Sequence, residues 1–176
     1  MSNLSHIMPE CYADTNLIEA LMQASVSHQK GCNQVTRAMQ RNFDNRFSVG
    51  IIDYDKKKPK YLNELEVLAQ SQHLQLYKHP NRPHYIITIK PAIENFILAC
   101  VEELGVNPKD YGVSTSLEGL KKQTKRVDSN TDPHLTALFR ALQTSTEMTI
   151  LGTTLKYLNK QQYCANIAVI KAIFAS

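Results

Sequence analysis

A short apolar run that ends on two closely spaced carboxylates is the feature that most constrains how this chain folds. Residues 48–52 read Ser-Val-Gly-Ile-Ile, Asp53 follows directly, and Asp55 comes two residues later. Successive side chains of an extended chain point to opposite faces, so we expect Asp53 and Asp55 to project together from the end of a buried strand. Open α/β sheets bind their ligands at the carboxyl ends of their strands. The pattern therefore predicts an α/β sheet with an acidic pair at its ligand-binding edge.

Paired oxygen ligands at such an edge suit a hard cation. Mg²⁺ is typically held by one or two carboxylates and keeps several of its water ligands. A third carboxylate, Glu10, ends the first apolar stretch and precedes a helical pattern. We therefore expect Glu10, Asp53 and Asp55 to form a site for Mg²⁺ or Mn²⁺.

Strand-like and helix-like segments alternate over roughly the first ninety residues, which is typical of βαβ units and a mainly parallel sheet. From about residue 107 only helical periods remain. We expect residues 1–106 to form an α/β domain with a mainly parallel, Rossmann-like sheet flanked by helices. Residues 107–176 are expected to form an all-helical extension packed on the same core. The first expected helix follows a cap at Asp14 or Thr15 and has its apolar positions within residues 17–26. The expected strands are residues 4–9, 47–53, 74–77 and 84–89, and the other expected helices are residues 35–43, 61–68, 93–104, 117–125, 134–142, 148–158 and 161–174.

Composition limits the class of protein more than its activity. The 176 residues suffice for one domain with a full core, and a net charge of +4 permits nucleic-acid binding without requiring it. The four cysteines include no C-x-x-C pair, so we expect reduced thiols rather than a zinc ribbon or disulfides. No apolar run reaches the length of about 18 residues that a membrane span needs. We expect a cytoplasmic protein that lacks an export signal.

The spacing of the acids matches a known family. The segment from Glu10 to Asp14 reads E-C-Y-A-D, and the D-x-D of Asp53 and Asp55 follows about forty residues later. This set resembles the Toprim (topoisomerase-primase) domain, in which a strand leads into E-G-x-x-D and a later strand ends in D-x-D. The resemblance covers residues 4–90.

Two positions depart from the family pattern. Cys11 stands where the family commonly has glycine, and Pro9 replaces the usual apolar residue. Small stand-alone bacterial Toprim proteins and nucleases of the overcoming-lysogenization-defect type are the most similar in character, because they lack zinc fingers and topoisomerase machinery. The resemblance thus implies a nuclease-like protein rather than a topoisomerase.

The resemblance implies metal-dependent phosphodiester chemistry on nucleic acid, with a separate ATPase subunit as one expected partner. Glu10, Asp53 and Asp55 would be the catalytic metal ligands, and Asp14 would support them. Glu94 is a candidate for a further metal ligand because it opens a helix after an expected strand. A glutamate in a first helical turn is also favoured by the helix dipole alone. Glu10 is equally compatible with a role as general acid or base.

Two basic runs are candidates for phosphate contacts. The first follows the D-x-D pair directly, and we expect it to bind nucleic acid, although a charged loop is commonly only a solvated surface. Aromatic residues do not interleave with either run, so base stacking on a single strand is not expected. The first run is Lys56, Lys57, Lys58 and Lys60, and the second is Lys121, Lys122, Lys125 and Arg126.

A hypothesis from another functional class, a non-catalytic protein, stays open beside the enzyme. In it, Glu10 merely caps a helix, Asp53 and Asp55 begin a loop, and the α/β body is a non-catalytic scaffold or adaptor. The partner protein would then bind the C-terminal helices, whose last segment is strongly apolar. DNA versus RNA, the reaction type and the oligomeric state stay open as well. The apolar positions are Ile167, Val169, Ile170, Ile173 and Phe174.

Overall fold

A five-stranded mixed sheet forms the centre of the computed structural model, which describes residues 3–54 and 58–176. Asp55, Lys56 and Lys57, named above as candidate site residues, lie outside the described residues. The strands in chain order are β1 (Asn3–Leu4), β2 (Ile7–Pro9), β3 (Ser25–Val26), β4 (Ser48–Asp53), β5 (Glu66–Gln70), β6 (Leu74–Lys78) and β7 (His84–Ile89).

The strand order of the main sheet is β2-β4-β7-β6-β5. β2, β4 and β7 are parallel, whereas β6 and β5 add to them as antiparallel neighbours. The short strands β1 and β3 pair separately in a parallel ladder. The predicted α/β class is therefore confirmed. The sheet is parallel on the side of β2 and antiparallel on the side of β5.

Seven helices are seen in the described residues, and three short 3₁₀ segments join them after α3. Every described residue after α3 that belongs to a regular element is helical, as the sequence predicts. The helices are α1 (Tyr12–Met22), α2 (Cys32–Asn42), α3 (Ile93–Leu104), α4 (Leu117–Thr124), α5 (Pro133–Ala141), α6 (Thr146–Gln161) and α7 (Ile167–Phe174).

The helix predicted over residues 61–68 is wrong. The chain forms a 3₁₀ helix at Lys60–Glu64 and then enters β5. Tyr61, Leu62 and Leu65 are buried beneath the sheet, which accounts for their apolar spacing without an α-helix. The ladder with β6 fixes the following residues as an edge strand, and tertiary pairing of this kind overrides local spacing.

Two of the other predicted helices differ most from the observed boundaries. The helix expected after a cap at Asp14 or Thr15 begins earlier, at Tyr12, because Cys11 is the N-cap, and its last predicted turn is instead β3. The helix expected over residues 161–174 is divided, because Gln162–Cys164 is a 3₁₀ turn and α7 begins only after the Asn166 side chain caps it. Asparagine is a preferred helix N-cap, so it sets this start.

Hydrophobic clusters cover both faces of the sheet. Ile51 and Ile52, which are consecutive on β4, belong to different clusters. One face is covered by α1, α3 and the helices beyond residue 107. The other face is covered by α2 and the 3₁₀ helix Lys60–Glu64. The expected boundary between residues 106 and 107 stays a prediction, although buried side chains from both sides of it share one cluster. None of the helices in the described ranges is long and apolar enough to cross a membrane.

Candidate functional site

Glu10 and Asp53 come together at the carboxyl edge of the sheet. They follow or end the adjacent parallel strands β2 and β4, and the ladder continues through Glu10, whose N–H donates to Ile51 O at 2.9 Å. Asp53 N donates to Glu10 Oε2 at 3.0 Å. Only Cα and Cβ separate the carboxylate of an aspartate from its own backbone nitrogen, so the two carboxylates lie within roughly 8 Å of each other. Both side chains are buried, at 3% and 9% exposure.

The Asp53 carboxylate also holds the start of helix α3. Its Oδ1 accepts a hydrogen bond from Ile93 N, the first residue of α3, at 3.1 Å. Ala92 occupies the N-cap position and has no side chain that could do this. The first N–H groups of a helix have no partner inside the helix, and they carry the positive end of its dipole. Asp53 therefore has a structural role in addition to any role in metal binding.

Asp14 supports the turn that follows Glu10. It is fully buried in the first turn of α1, and its Oδ2 accepts from Cys11 N at 3.2 Å. In return Asp14 N donates to Cys11 Sγ at 3.4 Å, which completes a reciprocal capping arrangement. Cysteine at the position where Toprim proteins commonly have glycine thus serves here as the N-cap of α1. Burial, followed by the nearby charge of Asp14, raises the pKa of the Cys11 thiol, so the cap stays protonated.

Glu94 reaches the same region from the first turn of α3. It is buried, and its Oε1 accepts a hydrogen bond from Thr124 Oγ1 of α4 at 2.5 Å. This bond ties the helical extension to the edge of the sheet. The contact gives Glu94 a definite partner, whereas the sequence alone offered only a metal ligand or a favourable dipole position.

A cleft of about 280 Å³ opens at this edge. Asp53 and Glu94 line it, together with Lys121 and Lys125 of the α4 region. The spacing of four residues places these two lysines on one face of the helix. The second basic run therefore contributes directly to the site, although its distance in sequence from Asp53 gives no sign of that. The cleft is also lined by Cys11, Tyr12, Ile93 and Thr124.

The first basic run is placed only in part. Lys58 Nζ donates to the Tyr54 hydroxyl at 2.6 Å and lies 3.8 Å from the centre of its ring. This hydrogen bond, together with the ammonium charge, lowers the pKa of Tyr54. Lys90 Nζ approaches the same ring at 4.8 Å. Lys60 lines a different cleft, on the face of the sheet covered by α2. Lys58 thus lies next to the residue that follows Asp53.

The described residues contain no group of three or more His, Cys, Asp or Glu side chains placed to hold a metal ion. Asp55, the third ligand expected from the sequence, lies outside those residues. The carboxylates of Glu10 and Asp53 are oxygen donors of the kind that Mg²⁺ and Mn²⁺ prefer. The donor chemistry of these two residues therefore fits the predicted ions, while the complete ligand set stays a prediction.

Comparison with known proteins identifies no relative of this chain. No family model matches this chain, and no curated protein or solved structure matches it either. The Toprim resemblance consequently depends on the acidic residues and on their positions in this fold.

Proposed function

We propose that the protein is a Toprim-like, Mg²⁺- or Mn²⁺-dependent enzyme that acts on phosphodiester bonds of nucleic acid. The observation that carries the proposal is the hydrogen bond from Asp53 N to Glu10 Oε2. It brings the two acid motifs, which lie far apart in the sequence, to the ends of adjacent parallel strands. That edge is where open α/β sheets bind ligands.

The topology between the two acids agrees with the proposal. From Glu10 the chain runs through α1, β3 and α2 before it returns as β4, which ends at Asp53. An acid-bearing strand, a helical crossover and a second acid-bearing strand are the arrangement that the Toprim resemblance implies. Asp14, the last acid of the E-x-x-x-D motif, stabilises the turn after Glu10.

The residues divide into two chemical roles under this proposal. Glu10, Asp53 and Asp55 would hold the metal ion, which when bound polarises a phosphodiester and lowers the pKa of an attacking water. Lys121 and Lys125, which line the same cleft, would contact the phosphate oxygens. Positive phosphate contacts beside the negative ligands allow an anionic substrate to approach a carboxylate site. Glu10 also stays a candidate general acid or base.

Metal titration by calorimetry tests the proposal with variants that preserve the local hydrogen bonds. Asp53→Asn keeps an oxygen that can accept from Ile93 N, so α3 should stay capped. We expect saturable Mn²⁺ binding to the wild-type protein and its loss in Asp53→Asn and in Asp55→Asn. Asp110→Asn, at an exposed acid outside the edge, is the matched control and should bind as the wild type does.

Absence of saturable binding to the wild-type protein would contradict the proposal. Binding that survives both Asp53→Asn and Asp55→Asn would place the ion elsewhere and would contradict it equally. If binding follows the expected pattern, cleavage of labelled DNA and RNA in the presence of Mn²⁺ determines the substrate and the reaction type.

The scaffold hypothesis is the second candidate function, and the exposed apolar side chains of α7 favour it. Ile170 and Phe174 pack into the core, whereas Ile167 and Val169 are 46% and 41% exposed. The inward residues already account for much of the apolar character of the helix. A non-catalytic adaptor would bind no metal in the calorimetric experiment, so the same measurement separates the two candidates.

A further inference from the structure

A basic groove lies on the face of the sheet opposite α1, α3 and α4. Helix α2 covers this face through Val35 and Met39, which belong to the second hydrophobic cluster. The start of α2 lies at the acidic edge, because Gly31 N donates to Glu10 O at 3.1 Å. The solvent-exposed side of α2 therefore extends away from the candidate site along the outside of the molecule.

Positive and amide side chains line this groove. Two adjoining clefts of about 350 Å³ and 260 Å³ share Arg37 as a wall residue. Lys58 and Lys60 line the first cleft, and Arg41 lines the second. No acidic residue lines either cleft in the described part of the chain, and the α2 sequence contains none. The groove thus carries cationic groups without local acidic partners.

The cations of this groove differ from two other basic residues of the surface, Arg82 and Arg126, which form ion pairs. Arg82 pairs with Asp44, and Arg126 pairs with Asp128. By contrast, Arg37, Arg41 and Lys60 form no ion pair within residues 3–54 and 58–176. Unpaired cations along a concave surface create a positive potential that attracts an anionic partner.

The lining chemistry favours contacts with a phosphate backbone over contacts with bases. Tyr61 is the aromatic residue of these clefts within the described ranges, and it is only 4% exposed. Proteins that bind single strands need accessible aromatic rings on which bases stack. Arg37 and Arg41 lie on one face of α2, separated by a rise of about 6 Å along the helix axis. This arrangement suits a regular row of phosphates.

The groove is also connected to the acidic edge. Lys58 lines the first cleft and donates to the hydroxyl of Tyr54, the residue directly after Asp53. A backbone that follows α2 would therefore arrive at the end of β4. Basic residues would then flank the carboxylates on both faces of the sheet. Lys121 and Lys125 lie on one face, and Arg37 lies on the other.

We infer that the α2 groove binds the sugar–phosphate backbone of double-stranded nucleic acid, independently of sequence, with Arg37 and Arg41 as principal phosphate contacts. The inference depends on the proposed function only for the acidic edge being the place where the bound duplex reacts. Binding itself is a separate property of the groove. It can be measured when no reaction takes place.

The experiment is fluorescence anisotropy of a short labelled DNA duplex, with divalent metal chelated so that no cleavage occurs. The variant Arg37→Gln/Arg41→Gln is compared with Lys156→Gln/Lys171→Gln, which removes the same charge from exposed positions on α6 and α7. Each lost phosphate contact lowers the slope of log K against log salt by about 0.9, measured between about 50 and 200 mM salt. We expect the groove variant to lose about 2 in slope and at least about tenfold in affinity.

Equal weakening of the groove variant and the control variant would overturn the inference, because net charge alone would then explain binding. Tighter binding of the single strand than of the duplex would overturn it as well. If binding depends on the groove but no cleavage follows when Mn²⁺ is added, the groove is supported and the proposed chemistry is contradicted. If the protein cleaves the duplex and the groove variant binds it as the wild-type protein does, the chemistry is supported and the groove is contradicted.

Discussion

The two ends of strand β4 both bury polar side chains, but they bury them in different ways. At the carboxyl end, Asp53 is linked to Glu10 and Ile93 and still lines a cleft. At the amino end, Ser48 pairs in register with His84, and both are fully buried. His84 Nδ1 lies 2.6 Å from the hydroxyl of Tyr61, which belongs to the 3₁₀ helix Lys60–Glu64, in a buried hydrogen bond. The carboxyl end therefore exposes a carboxylate to a cleft, whereas Ser48 and His84 at the amino end are enclosed within the fold.

The comparison shows that a buried polar group is a candidate for function only where the structure gives access to it. Burial raises the pKa of Tyr61 to about 12 and lowers the pKa of His84, so both groups are neutral near pH 7. A neutral, buried pair of this kind contributes a hydrogen bond to stability. The carboxylates at the other end lie beside lysines and a cleft, which suits binding of an ion and an anion.

The largest expected effect is loss of activity at the carboxyl end. Glu10→Gln keeps an oxygen that can accept from Asp53 N, so the free energy of unfolding should change little. Metal-dependent cleavage should fall more than about 100-fold, because even an outer partner of a metal ligand costs about 10–100-fold. Initial rates at saturating Mn²⁺ and a urea unfolding curve check the two parts. A Glu10→Gln variant that keeps the wild-type cleavage rate would show that Glu10 is not part of the metal site.

At the amino end of β4, a substitution should lower the free energy of unfolding and leave metal binding unchanged. Tyr61→Phe removes the hydroxyl and leaves buried His84 Nδ1 without this partner, which should cost about 1–3 kcal/mol of stability. Metal binding should not change. Tyr111→Phe is the control, since the Tyr111 hydroxyl makes no hydrogen bond within the described part of the chain. Urea unfolding and calorimetry on the same preparations separate the effects, and a change in metal affinity would contradict the division between the two ends.

Much of the fold is predictable from local sequence where the apolar period and the boundary signal agree. β7 is predicted at the residues where it occurs, and α3 ends before Gly105, which adopts the left-handed conformation that glycine favours. β5 is not predictable in this way. Its residues are largely exposed, with Val67 at 52%, and it is a strand because β6 pairs with it. Edge strands carry little of the period that burial imposes on central ones.

The candidate site is predictable in its acids but not in its cations. Glu10 and Asp53 are visible in the sequence because each follows an apolar run, and strand ends in parallel sheets meet at one edge. The involvement of Lys121 and Lys125 depends on how α4 packs against α3, which includes the bond between Thr124 and Glu94. Sequence proximity favours Lys60 instead, yet Lys60 lines the groove on the other face. Contacts between distant segments set these positions.

A smaller effect is expected from the lysines of the cleft at the carboxyl end. Lys121→Gln/Lys125→Gln should raise the KM for a nucleic-acid substrate several-fold, with a lower salt dependence, because phosphate contacts are lost. Lys122→Gln is the matched control, since Lys122 is exposed and pairs with Glu118 at 3.1 Å. Steady-state kinetics at two salt concentrations checks this. An equal effect of Lys122→Gln would mean that the cleft itself contributes nothing to binding.

The smallest expected effect is the pH dependence of stability at the amino end. Burial holds the pKa of folded His84 below its ordinary value of 6.5, so the unfolded chain takes up a proton at a pH where the folded chain does not. Stability rises with pH wherever the unfolded state binds more protons, so the free energy of unfolding should fall as the pH is lowered through 6.5. The decline should stop once the folded-state pKa is also passed.

His84→Gln removes the titrating group and keeps polar atoms at the position, so the part of this slope due to His84 should disappear. Urea unfolding of the wild-type protein and the variant at a series of pH values, compared as a difference, isolates that part from the contributions of the carboxylates. An unchanged slope in the variant would mean that His84 gains a proton in the folded state as readily as in the unfolded one. The amino end would then be open to solvent, and access would no longer distinguish the two ends of β4.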